Sequence, residues 1–117
     1  MKKQIRLIAL DLDGTLLDDQ KQLSENNIQA LAECARRGIQ VVPATGRPVD
    51  GFPKELCAIP GVHYAITTNG GAVVDLETGR RLSQCVLSNE QALQILDIVR
   101  QYHVMYDPYR SEEHTSE

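Results

Sequence analysis

The sequence predicts an α/β fold, a parallel sheet with helices between its strands, on three observations. Short apolar runs alternate with helical patterns: Ile5 to Leu10, then Ile28, Leu31, Ala32 and Ala35 at helical spacing, then Ile39 to Val42, and later Tyr64 to Thr67. The first, second and third apolar runs are each followed by a polar segment containing glycine. The 117 residues, 42% apolar and 24% charged, have the composition of an ordinary globular chain and suffice for one small domain or a piece of a larger one.

The elements follow in order. Residues 5–10 combine β-formers in a short apolar run, a first strand expected to be mostly buried. Residues 11–23 read as a polar loop. Ser24 caps a helix, with Leu23 and Ile28 placed as a hydrophobic staple, and Gly38 stops it. Residues 39–42 are a second strand. Pro48 and Asp50 open a loop and a second helix running to Leu56, and Pro60-Gly61 is a turn. Tyr64–Thr67 is a third strand. Residues 72–75 and 81–86 flank the turn signal Glu77-Thr78-Gly79 and predict a hairpin. Ser88 and Gln91 form a capping box ahead of Leu93, Leu96 and Val99, and residues 103–106 read as the start of a strand. The strand–helix alternation breaks near residue 82, which predicts a boundary there. The strand–helix–strand–helix–strand order implies that the first three strands are parallel, with right-handed crossovers.

Composition excludes several functions. Twelve Lys+Arg against 16 Asp+Glu give a net charge of −4, and aromatics are 4%, so neither the charge nor the stacking surface of a nucleic-acid binder is present. No apolar run approaches the ~20 residues of a membrane span. The start fails as a signal peptide because Arg6 interrupts the apolar run and Asp11 ends it. Cys34, Cys57 and Cys85 have neither zinc nor disulfide spacing and read as reduced, buried small side chains in a cytoplasmic protein. No nucleic-acid or membrane partner is expected. His63 and His103, alone beside apolar segments, read as structural.

Chemistry concentrates where strands end, since ligands of parallel sheets bind outside the carboxyl ends of the strands. The first strand exits through Asp11-Leu12-Asp13-Gly14-Thr15, and positions two apart in extended chain share a side, so Asp11 and Asp13 converge. The second exits through Ala44-Thr45-Gly46-Arg47-Pro48 and the third through Thr67-Thr68-Asn69-Gly70-Gly71. Two carboxylates beside hydroxyls, an amide, a guanidinium and glycines suit a phosphate once Mg²⁺, which takes oxygen ligands, offsets the negative charge. One carboxylate can then be a nucleophile and the other a general acid and base. Each segment alone also reads plainly: Asp11/Asp13 as a capped turn, Thr45-Gly46-Arg47 as a surface turn, Asn69-Gly70 as a hairpin turn. An EF-hand fails because its sixth and twelfth positions would be Leu16 and Gln22, and no Gly-Lys-Ser/Thr is present for a Walker A loop.

Asp11-Leu12-Asp13-Gly14-Thr15-Leu16-Leu17 resembles the first motif of the haloacid dehalogenase-like phosphatases. Ala44-Thr45-Gly46-Arg47-Pro48 resembles the second motif of their Cof-type branch, and Asn69-Gly70 matches the Asn-Gly after that branch's third strand. The resemblance implies a Rossmann-like parallel core over residues 1–82, incomplete, with the beginning of an inserted α/β cap at 83–109. It implies a Mg²⁺-dependent phosphohydrolase acting on a small phosphorylated metabolite such as a sugar phosphate. Asp11 would be nucleophile and Mg²⁺ ligand, and Asp13 the general acid/base with its backbone carbonyl on the metal. Thr45 would bind the phosphoryl group, Gly46 and Arg47 would shape the rim, and Asn69 would stand at the site's edge. A phosphomutase of the same branch and a non-catalytic phosphate- or metal-binding module remain open alternatives.

The family's third motif supplies a lysine and its fourth an acidic cluster, both beyond the cap. Of Lys2, Lys3, Lys21 and Lys54, none follows a later strand. Residues 110–117 hold no apolar side chain and resemble the translated read-through of a sequencing adapter. The expectation is therefore an N-terminal fragment carrying half a site, inactive alone.

Overall fold

The computed structural model describes residues 3–106 and 108; the tail at 110–117 lies outside them. The apolar runs form β1 (Leu7–Asp11), β2 (Gln40–Ala44), β3 (Tyr64–Thr67), β4 (Ala72–Asp75) and β5 (Arg81–Gln84), which lie in that order in one sheet. β1, β2 and β3 run parallel, while β4 and β5 are antiparallel to their neighbours, so the sheet is mixed rather than purely parallel. Helix α1 (Glu25–Arg36) joins β1 to β2. A 3₁₀ turn (Val49–Gly51) and the one-turn helix α2 (Lys54–Cys57) join β2 to β3. The chain divides into two units, Met1–Cys85 and Val86–Glu117, and the second contains α3 (Asn89–Val99).

Local signals set the helix starts. Ser24 is extended, and its hydroxyl accepts from the Asn27 amide at 3.2 Å, satisfying one of the donors a helix start leaves free. In α3 the capping box closes in both directions, Gln91 N donating to the Ser88 hydroxyl and Ser88 N to the Gln91 side chain, each at 3.1 Å.

The core gathers Leu31 of α1, Val41 of β2, Leu56 of α2, Ala65 of β3 and Phe52, Ile59 and Val62 around them. Leu12, Leu16 and Leu17 join it, which corrects the polar-loop reading of residues 11–23. The polar majority of that segment hides three leucines that turn inward as Leu16 N and Leu17 N bond to the Asp11 and Leu12 carbonyls at 3.2 and 2.9 Å. Gly61, at φ +89°, seats this end of β3 against α1: a Cβ there would stand 2.9 Å from the Ala35 Cβ.

Other expectations also change. β1 is not mostly buried. It is the edge of the described sheet, with only β2 beside it, and Leu7 is 57% exposed. The single helix expected up to Leu56 is broken at Phe52-Pro53, both extended, into the 3₁₀ turn and α2. Residues 103–106 form no strand. Cys34 is half-buried, but Cys57 and Cys85 are exposed, because α2 buries only Leu56 and Cys85 follows an edge strand.

Pro43 sits inside β2, with neighbours on both sides, and lacks the N–H a ladder needs. In a parallel strand, alternate residues bond to opposite neighbours. Gln40 N donates toward β1, to Arg6 O, whereas Val41 N and Thr45 N donate toward β3, to Gly61 O and Ile66 O. Pro43 falls between those two on the β3 side, and the registered β2–β3 pairing narrows to Ala44↔Ile66.

Candidate active site

The parallel strands carry three loops to one edge of the sheet. Asp11 ends β1, Thr45 follows β2, and Thr68–Gly70 follows β3 as a short 3₁₀ turn. A cleft of about 310 Å³ opens there, lined by Asp11, Ala44, Thr45, Gly46, Ile66, Asn69 and Gly70. Four of the six residues singled out in the sequence, Asp11, Thr45, Gly46 and Asn69, share this lining. Asp13 and Arg47 do not line it but pair with each other.

Backbone bonds lock the second and third loops together. Thr68 N donates to Arg47 O at 2.9 Å and Asn69 N to Thr45 O at 3.1 Å. The bonds hold Thr68 and Asn69 at φ +53° and +54°. A β-branched residue in that region is strained by about 1–3 kcal/mol and persists only where its surroundings dictate it. Gly46 lets Asn69 approach, since a Cβ at 46 would lie 2.9 Å from Asn69 Oδ1.

Thr45 is buried, and its hydroxyl accepts from the Arg47 amide at 3.0 Å. With one of its two lone pairs so used, the hydroxyl still has its proton to offer an anion. Asp11 is exposed, and its Oδ2 accepts from the Thr15 hydroxyl at 3.3 Å.

Asp13 is gripped from two sides. Arg47 makes a fork, Nε to Oδ2 at 2.9 Å and Nη2 to Oδ1 at 2.5 Å, while its Nη1 donates to Gly51 O at 2.8 Å. Lys21 Nζ donates to Asp13 Oδ1 at 3.2 Å. The Arg47 hydrogen bonds, helped by Lys21, pull the Asp13 carboxyl from 3.8 down to about 2, and the carboxylate in return raises Arg47. Lys21, set aside in the sequence because no late strand precedes it, is the residue that reading missed. The available signal was the turn-forming run Asp18-Asp19-Gln20 between Leu17 and Leu23, which folds Lys21 back.

Asp11 and Asp13 supply oxygen donors of the kind Mg²⁺ takes. Among the described residues no group of three or more His, Cys, Asp or Glu side chains comes together, so these residues supply only part of such a shell.

Asp11 at the exit of the first strand of an α/β sheet thus shares one cleft with a buried threonine and a glycine-supported asparagine. The profile of the haloacid dehalogenase-like hydrolase family matches residues 8–116, and the chain belongs to that family, in its Cof-type branch. It is 32% identical over 105 residues to phosphatase YwpJ of Bacillus subtilis, covering 90% of this chain and 36% of that protein. It is 33% identical over 99 residues to the pyridoxal phosphate phosphatase YbhA of Escherichia coli, covering 85% and 36%. A haloacid dehalogenase-like hydrolase from Bacteroides thetaiotaomicron superposes with a TM-score of 0.70 at 30% identity, over 84% of this chain and 38% of that one. The chain thus spans about 36% of the length of these curated relatives. Among the described residues no helix is long and apolar enough to cross a membrane.

Proposed function

We propose that the whole protein is a Mg²⁺-dependent phosphomonoester hydrolase acting on a small phosphorylated metabolite such as a sugar phosphate. The observation that carries the proposal is the convergence of Asp11, Thr45, Gly46 and Asn69 on one cleft. Phosphatase relatives of known substrate, the pyridoxal phosphate enzyme among them, support the substrate class.

In this reading the phosphoryl group enters the cleft with a nonbridging oxygen at the Thr45 hydroxyl. An Asp11 oxygen attacks phosphorus, the bond to the ester oxygen breaks, and that oxygen takes a proton that Asp13, ionised at rest, has first picked up from solvent or from the entering monoester. Water then attacks the aspartyl phosphate and gives a proton to Asp13, releasing phosphate and restoring the Asp11 carboxylate. Mg²⁺ bound at Asp11 and the Asp13 carbonyl would neutralise charge on the phosphoryl oxygens. Arg47 engages both Asp13 oxygens, so the proton and the leaving group would have to use a lone-pair direction that Arg47 leaves open. Residues 1–82 would belong to the catalytic core and residues 83–109 would begin its cap.

The test is hydrolysis of alkyl and aryl phosphates by the whole protein with Mg²⁺ and with chelator. Asp13→Asn should slow alkyl phosphates far more than nitrophenyl phosphate, whose leaving group needs little protonation. Phosphate binding without turnover of any ester would instead mark a non-catalytic module.

A further inference from the structure

We propose that Lys21 is a positioning residue that makes the Asp13 carboxylate asymmetric, anchoring Oδ1 and leaving Oδ2 as the oxygen that works on the leaving group. The inference rests on the phosphatase reading and adds a residue and an atom to it.

The geometry begins with a small hairpin. Leu17 and Leu23 form an antiparallel bridge, Leu17 being buried in the core and Leu23 packed against it. Between them Asp18 folds the turn: its Oδ1 accepts from Gln20 N at 2.9 Å and Gln22 N at 2.8 Å, and its carbonyl accepts from Lys21 N at 2.9 Å. Asp18 N closes the hairpin onto Gln22 O at 2.9 Å. The result places Lys21 at φ +61°.

That conformation costs a lysine about 1 kcal/mol or more, and glycine would adopt it freely. The β4–β5 turn, likewise folded by an aspartate that accepts from two following amides, uses Gly79 at φ +76°. Packing gives Lys21 little in return, since its side chain is 67% exposed. Its ion partner is Asp13, at 3.2 Å. Strain without packing gain, directed at a candidate catalytic group, points to a role in the site.

A carboxylate oxygen offers two lone-pair directions. Oδ1 receives Arg47 Nη2 and Lys21 Nζ, so both of its directions are used; Oδ2 receives Arg47 Nε alone and keeps one free. The two cations come from opposite supports. Arg47 is braced on the Gly51 carbonyl, and Lys21 on the Asp18 turn. Removing Lys21 leaves Asp13 free to turn its two oxygens over, so that either can face the ester.

The test compares Lys21→Gly, Lys21→Met and Lys21→Arg in the whole protein. Lys21→Gly relieves the turn, so its melting temperature should hold or rise while its kcat for an alkyl phosphate falls about tenfold, a fraction of what a general acid contributes. Its kcat for nitrophenyl phosphate and its KM should stay within about twofold, and Lys21→Arg should recover most of the alkyl activity. Equal losses on the two esters, or no loss, would overturn the proposal. A second readout needs no turnover: solvent exchange of the Arg47 Nε–H, followed by NMR, should quicken several-fold in Lys21→Gly and Lys21→Met and slow again in Lys21→Arg. Unchanged exchange would also overturn it. Absence of Mg²⁺-dependent hydrolysis in the unmutated protein would contradict the phosphatase reading, and the exchange measurement would still decide whether Lys21 anchors Asp13.

Discussion

In the parallel half of the sheet, β1 to β3, each strand leaves at the same edge; in the antiparallel half, β3 to β5, successive strands leave at opposite edges. The first arrangement stacks three loops side by side, and Asp11, Thr45 and Asn69 meet in one cleft. In the second, Asp75 at the end of β4 pairs with Tyr64 at the start of β3, which puts the Glu77-Thr78-Gly79 turn at the far edge. Both halves use an aspartate to fold a turn, Asp18 in one and Asp75 in the other. The far turn relaxes onto glycine, whereas the near one holds a strained lysine against Asp13. Thr68 and Asn69, also strained, belong to the near edge as well. One edge of the sheet thus carries a relaxed, glycine-bearing turn, and the other carries the cleft and the strained residues.

Substitutions at the two edges should therefore fail in different ways. The largest effect is expected of Asp11→Asn, which removes the proposed nucleophile: kcat of the whole protein should fall by several powers of ten with its melting temperature nearly unchanged. At the packing edge, Gly61→Ala combines a positive φ with a Cβ pressed to 2.9 Å from the Ala35 Cβ. It should destabilise by about 2–4 kcal/mol in denaturant titration while the KM of the folded fraction holds. Gly46→Ala should do the reverse. Its Cβ meets the mobile end of Asn69, so stability should change by less than about 1 kcal/mol while phosphate affinity drops about tenfold as Asn69 is pushed aside. Adding Asn69→Ala should then cost no further affinity, and a strictly additive loss would break the link between the two loops.

The smallest effect is expected away from both edges, on α1. Arg36 and Arg37 hydrogen-bond to Glu33 and lower its carboxyl from 4.5 to about 2. A depressed carboxyl stabilises the fold above its unfolded value and loses that contribution as pH falls from about 4.5 toward 2. The pair is exposed, so Glu33→Gln should barely move the melting temperature at neutral pH, and even that difference should vanish in acid.

What could be read without the structure was mostly local. Ser24, the Ser88–Gln91 box and the limits of β3 depend on residues within a turn of one another. The convergence of Asp11, Thr45 and Asn69 was legible too, because parallel strands bring their exits to one edge whatever their order. The exposure of β1 was not, since strand order is a long-range property and an apolar run reads alike at an edge or a centre. Nor were the buried leucines 12, 16 and 17, placed by turns rather than by a helical or strand period. Lys21 escaped for the same reason: it reaches Asp13 through a turn, across eight residues that follow no period.

The central claim is that these three strand ends form one phosphoryl-transfer site with Asp11 as the covalent link. It is tested most directly by mixing the whole protein with Mg²⁺ and a phosphomonoester, quenching during turnover, reducing with borohydride and mapping the chain by mass spectrometry. An aspartyl phosphate is reduced to homoserine, and the account predicts homoserine at position 11 and nowhere else. Ester hydrolysis that leaves Asp11 intact, or that marks another carboxylate, would contradict it.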